Sequence, residues 1–247
     1  MSADLRVVSP YRPFAPESQS HQMLGPFDWV GALEMLRASV HRSNGCETVA
    51  ISDVDTDLPG PSRHYVTTER RLMLWILEIA LAYLQSDDFD VDTILLSPDL
   101  LVFGDLRPWM TPYFTVLMRG AYPNHPILNG VQFWPVKQQA PLVDFYTRAL
   151  AIGRTLDEGY LRWGGDTEPL RQLLQPLAPG LVMRDGKPLA RLIESDEIIQ
   201  AFTTLQAAAL TRGAAIVPVR AILDFRYTRK QHMRAYFEAT IGRLAIA

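Results

Sequence analysis

Along the first hundred positions apolar and polar residues follow two rhythms, and the rhythm changes at turn residues. Arg6-Val7-Val8-Ser9-Pro10 is a short β-branched run stopped by proline, which predicts a first strand. A polar stretch, 13–24, follows as a long loop. Over 27–40 the apolar residues Trp29, Leu33, Leu36 and Val40 lie on one helical face, with Asp28 placed to cap the start and Asn44-Gly45 to stop it. Residues 47–51 predict a second strand, which runs into Ser52-Asp53-Val54-Asp55-Thr56-Asp57. Residues 70–84 are apolar nearly all round, the pattern of a helix buried between layers. Thr93-Ile94-Leu95-Leu96 predicts a third strand, broken at Ser97-Pro98-Asp99 before a second apolar run over 100–105. Strand, helix, strand, helix, strand predicts an α/β fold with a mainly parallel sheet flanked by helices.

The later half is less regular. Residues 127–134 read as a turn entering a strand, and 142–156 and 168–174 as helices on either side of the glycine loop Trp163-Gly164-Gly165-Asp166. Residues 196–211 predict a helix, 216–219 and 221–225 short strands, and 229–244 a closing helix. Neither a repeat nor a linker-like change of composition interrupts the chain, so 1–247 is expected to form a single Rossmann-like domain with inserted loops.

Composition narrows the function classes. A chain of 247 residues, 48% hydrophobic, can bury a core without disulfides or a structural metal. Its one cysteine, Cys46, forms neither an intramolecular disulfide nor a metal cluster. Lys plus Arg number 24 against 27 Asp plus Glu, a net charge of −3, without the basic surplus of a non-specific nucleic-acid binder. The longest apolar run, 72–84 with Glu78 inside it, is shorter than the roughly 20 residues of a bilayer span. Met1-Ser2-Ala3-Asp4-Leu5-Arg6 lacks the basic-then-apolar pattern of a secretion signal, so a cytoplasmic location is expected. Dinucleotide, P-loop and nucleophile-elbow signatures are missing.

In open α/β sheets ligands bind at the carboxyl ends of the strands, and two acidic groups follow predicted strands here. Asp99, a carboxylate between apolar flanks, suits an oxygen ligand for a hard divalent cation that bridges phosphates. Capping the turn after Pro98 accounts for it equally well. Asp53, Asp55 and Asp57 alternate, so in an extended chain they point the same way. Arg220, Arg226, Arg229, Lys230 and Arg234 form a basic cluster that suits either a concentrated anion or a solvated face. His125 and His232 have no chemical partner in the pattern.

Four segments, taken in order, carry a resemblance. Ile94-Leu95-Leu96-Ser97-Pro98-Asp99 leads through an apolar run to Gly104-Asp105-Leu106; Asn129-Gly130-Val131-Gln132-Phe133-Trp134-Pro135 follows; then come Gly164-Gly165-Asp166-Thr167 and Asp224-Phe225-Arg226-Tyr227-Thr228-Arg229-Lys230. Together they resemble the metal-binding, sugar-pocket, Gly-Asp-Gln and His-Phe-x-Gly-x-x-Lys segments of GT-A-fold glycosyltransferases of the glycogenin and bacterial galactosyltransferase type. The resemblance spans residues 5 to 235 and departs from the family in two places: Ser97 replaces the first acid of Asp-x-Asp, and Asp224 stands where the family has histidine.

That resemblance implies a GT-A fold and transfer of a hexosyl or pentosyl group from a nucleotide-diphosphate sugar, UDP-linked by preference. Asp99 and Asp224 would hold Mn²⁺ or Mg²⁺. Lys230 and Arg226 would contact the diphosphate. Asn129 and Gly130 would line the sugar pocket, and Asp166 would act at the reacting sugar, as general base or as a stabiliser of positive charge. Asp53, with Tyr11 and Arg12 after the first strand, would hold the nucleoside; Phe14 would pack. The acceptor stays open among glycan, protein and modified DNA base. A non-catalytic nucleotide-sugar binding protein on a decayed transferase fold is the alternative, and Ser97 is its support. A nucleotidyltransferase is disfavoured because no glycine-rich phosphate loop follows the first strand.

Overall fold

The computed structural model describes residues 5–13, 27–120, 126–161, 165–225 and 227–242. Phe14, His125, Trp163, Gly164 and Arg226 lie outside the described residues. Strands β1 (Leu5–Pro10), β2 (Glu47–Asp53), β3 (Ser62–Tyr65), β4 (Asp92–Leu96), β6 (Thr115–Met118), β7 (Ile127–Trp134), β8 (Gly180–Arg184) and β9 (Lys187–Glu194) form an eight-stranded sheet of order β3-β2-β1-β4-β7-β6-β9-β8. The pairings β3–β2, β2–β1, β1–β4 and β6–β9 are parallel; those of β7 with β4 and β6, and of β8 with β9, are antiparallel. A second sheet, β10 (Ile199–Ala201), β11 (Ile222–Asp224) and β5 (Leu100–Val102), branches from the chain directly after β4.

Both faces of the main sheet are buried, which is why its central strands read as apolar runs rather than as alternation. Val8, Leu95, Val116 and Trp134 face α2 (Leu72–Gln85) and α3 (Gln139–Gly153); Val7, Ile94, Leu96 and Phe133 face the layer that holds α1 (Trp29–Asn44). Helix α2 is buried along most of its length, as its apolar circumference predicts. Tyr83, Trp134, Tyr146, Phe114 and Phe145 form a chain of edge-on and tilted ring contacts in that layer. Each such pair adds about 0.5–1.5 kcal/mol beyond its buried area. Helix α1 begins and ends where its caps predict: Asp28 accepts from the Gly31 amide at 2.8 Å, and Gly45 closes the helix at φ 62°. Among the described residues no helix is long and apolar enough to cross a membrane.

Three local expectations are corrected. Residues 196–211 are not one helix: Ile199 pairs with Ile222 in a parallel ladder, Ile198 and Phe202 are buried beside it, and the helix (α6, Thr204–Thr211) starts only at the Thr203–Gln206 capping box. Residues 216–219 form no strand; Val217 and Val219 are 63% and 88% exposed, and Pro218 has no amide proton for a ladder. The closing segment is a 3-10 stretch, Tyr227–His232, before α7 (Met233–Thr240). The β8–β9 hairpin was not expected, although Asp185 (φ 50°) and Gly186 (φ 74°) supply the two left-handed residues of a tight hairpin turn.

Candidate active site

The crevice is set by the strand that runs against its neighbours. β7 is antiparallel to β4, with Val131 opposite Leu96, so its early residues arrive where β4 ends. The Ser97 amide donates to the Gly130 carbonyl at 2.8 Å, and a Cβ on Gly130 would stand 3.1 Å from the Ser97 Cβ. Glycine thus permits the close approach that joins the Asp99 and Asn129 segments. On the other side, Asp224 of β11 lies opposite Leu100, and the Phe225 amide donates to the Asp99 carbonyl at 3.3 Å. Ser97, Asp99, Asn129, Gly130 and Asp224, spread over 128 positions of sequence, therefore meet at one sheet end.

Asp166 joins them from the start of α5 (Thr167–Leu173), which the short α4 (Glu158–Leu161) precedes, and its Oδ2 accepts from Asn129 Nδ2 at 2.9 Å. Gln132 Nε2 donates to Asn129 Oδ1, and Gln132 Oε1 accepts from Trp134 Nε1 at 2.9 Å and from the Tyr146 hydroxyl at 2.5 Å. Polarity along this chain is determined by its far end. An indole N–H only donates, so Gln132 must present its oxygen there and its amide nitrogen to Asn129. Asn129 is then obliged to aim its own N–H at Asp166. Burial pushes the Asp166 carboxyl above the ordinary aspartate range, against the lowering effect of the hydrogen bonds from Asn129 and Thr167.

Lys230 meets Asp99. Its Nζ lies 2.6 Å from Asp99 Oδ2, with the two side chains 13% and 15% exposed. The ammonium also stands 4.2 Å from the Trp29 ring centroid and 5.9 Å from that of Phe27. Burial works to raise the Asp99 carboxyl; the charge and hydrogen bond of Lys230, with a hydrogen bond from Ser97, overcome it and hold the group below the ordinary value. Two of the other described members of the basic cluster have different partners. Arg229 donates to the Phe202 carbonyl at 2.6 Å, Arg234 pairs with Asp28, and Arg220 is exposed. His232 stacks on Phe202, ring centroids 5.7 Å apart.

At the ends of β1 and β2, Asp53 ties together three elements. It accepts from the Trp75 indole at 2.7 Å and from the Thr67 hydroxyl, and its Oδ2 is 3.6 Å from Arg12 Nε. Arg12 also lies 5.7 Å over the Trp75 ring and donates to the Glu69 carbonyl at 3.0 Å. Tyr11 is buried among Leu33, Ala50 and Leu58. Asp55 and Asp57 are exposed. Sequence reasoning placed Gln132 and Trp134 only within the sugar-pocket segment and Trp29 only on a helix face, and it did not single out Tyr146 or Trp75. Gln132 carried a signal, as an amide with apolar neighbours on both sides in a strand, since buried polar groups need partners.

The donor set does not fit a divalent cation as it stands. Such an ion takes about six oxygens, several of them anionic. Here the first acid is replaced by a hydroxyl engaged with Asp99, and Asp99 Oδ2 already holds an ammonium. Among the described residues no group of three or more His, Cys, Asp or Glu is arranged to hold a metal.

No protein-family model matches the chain, and no curated protein sequence matches it at a significant level. Solved structures do resemble it in fold. A glycosyltransferase involved in the glycosylation of the major capsid of PBCV-1 superposes with a TM-score of 0.54 at 11% identity, covering 94% of this chain and 98% of that one. The apo form of the glycosyltransferase GlyE of Streptococcus pneumoniae TIGR4 gives 0.56 at 12% identity over 99% of this chain, which spans 64% of GlyE. The apo form of the bifunctional glycosyltransferase WbbM gives 0.56 at 8% identity over 97% of this chain, which spans 50% of that protein. The chain has a glycosyltransferase fold, mixed α/β on a mostly parallel sheet.

Proposed function

We propose that the protein transfers a sugar from a nucleotide-diphosphate donor, UDP-linked by preference, to an acceptor hydroxyl. The observation that carries this reading is the meeting of Asp99–Lys230 with Asn129–Asp166 across the Ser97–Gly130 hydrogen bond, at the sheet end where such folds bind ligands. The nucleoside lies toward Arg12 and Asp53, the diphosphate at Lys230, and the sugar between Asn129 and Asp166. During transfer the acceptor oxygen bonds to the anomeric carbon as the bond from that carbon to the diphosphate breaks. The bonding pair leaves with the nucleoside diphosphate. Lys230 meets the charge that grows on the departing oxygens; Asp166 receives the acceptor proton, or, where it instead faces the positive anomeric centre, the departing phosphate oxygen takes that proton.

Donor binding and turnover are tested separately. A thermal-shift titration with UDP, ADP, GDP and CDP should show stabilisation by one of them. Incubation with the matching nucleotide sugars and a panel of acceptors should release that nucleoside diphosphate. Binding without release under any acceptor would instead favour the non-catalytic reading, for which Ser97 in place of an acid is the specific support.

A further inference from the structure

The place that the family resemblance gives to a cation holds a different set of groups. An ammonium, not a metal ligand, sits on Asp99 Oδ2 at 2.6 Å, and two aromatic rings, Trp29 and Phe27, stand around it. Lys230 is not a loose surface side chain. It leaves a 3-10 stretch that is anchored on both sides: Arg229 donates to the Phe202 carbonyl, and His232 stacks on the Phe202 ring. Phe225, just ahead of that stretch, stacks on the same ring at 4.8 Å.

We infer that Lys230, held by Asp99 and by the faces of Trp29 and Phe27, takes the part of the cation, so that this chain binds the diphosphate of its donor without a divalent metal. The inference rests on the donor-site reading above. An ammonium has three N–H donors; among the described residues Asp99 takes one, which leaves others for phosphate oxygens. Ring faces hold a cation without consuming its donors, because they attract it through the quadrupole. A divalent ion at the same place would compete with Lys230 for Asp99 and would stand beside a like charge.

Isothermal titration of the full chain with UDP, once in chelator and once with Mn²⁺, decides the point. The expected result is the same Kd in both buffers within about twofold, with Lys230→Met weaker by about tenfold or more in each and Lys230→Arg, which keeps the charge, weakened less. Tightening of the wild-type protein by Mn²⁺ of about tenfold or more would overturn the inference, as would unchanged UDP binding by Lys230→Met. The wild-type comparison needs no variant; Lys230→Gln serves if the methionine variant fails to fold. Binding confined to the Mn²⁺ buffer removes this inference and leaves the donor site standing. No binding of UDP, ADP, GDP or CDP in either buffer removes the donor-site reading itself, and this inference with it.

Discussion

Asn129 reaches Asp166 across 37 positions of sequence and donates to its carboxylate at 2.9 Å, with its own orientation dictated by an indole N–H two residues beyond Gln132. The chain Trp134–Gln132–Asn129–Asp166 has only one self-consistent polarity, because its first member cannot accept. It presents Asp166 with a donor, which favours the ionised acid, within surroundings that disfavour the charge.

Replacing Gln132 by leucine should therefore cost on the order of 3 kcal/mol, since the Trp134 N–H, the Tyr146 hydroxyl and the Asn129 oxygen all lose their partner in a dry site. Urea denaturation measures this. In the fraction that folds, turnover should fall more than KM for the donor rises, because Asn129 is then free to turn its oxygen toward Asp166. Equal effects on both constants would assign Gln132 a purely structural part.

Asp166→Asn separates charge from shape. The folded-state pKa of Asp166 lies above its unfolded value, so its ionisation works against the fold as the pH rises through that value. The amide variant should match or exceed the wild-type melting temperature at neutral pH. Transfer should drop by about 10²–10⁴-fold, the range of a lost general acid–base group. A large loss of stability at neutral pH would contradict the assignment.

The Asp99–Lys230 pair has the opposite sign. Asp99 titrates lower in the folded than in the unfolded chain, so its stabilisation is complete above the ordinary aspartate pKa and is lost as the pH falls through the lower folded value. Lys230→Met leaves a carboxylate largely buried without its counter-charge and should cost about 3 kcal/mol at neutral pH. That deficit should shrink on acidification. Calorimetric melts of wild type and variant between neutral and acid pH give the comparison directly.

Asp53→Ala should cost about 2 kcal/mol by removing the acceptor of the Trp75 indole and of the Thr67 hydroxyl. It should also release Arg12, whose Nε lies 3.6 Å from that carboxylate, and so weaken nucleotide binding in the thermal-shift assay. Tryptophan fluorescence, sensitive to the lost contact at Trp75, provides an independent readout.

The short-range grammar of the chain was legible from its residues. β1, α1 with both its caps, β2, the all-apolar α2 and β4 all lie where periodicity, capping residues and turn residues place them, because the forces that form them act within a few residues. The order of the four motifs was legible too, and with it the fold. What only the tertiary structure decided is partnership at long range. Ile199 belongs to a strand because Ile222 is there to pair with it, and no local pattern records that ladder. Lys230 and Asp99 lie 131 positions apart, and their contact exists because β5 and β11 pair and bring the two ends of that loop together. The same holds for Gln132: its sequence neighbours showed a polar residue in an apolar strand, whereas its role depends on Trp134, Tyr146 and Asn129 converging on one dry point. Residue types and spacing determine which groups a site has at hand; packing, through close approach and the need to satisfy every buried donor and acceptor, determines which of them meet.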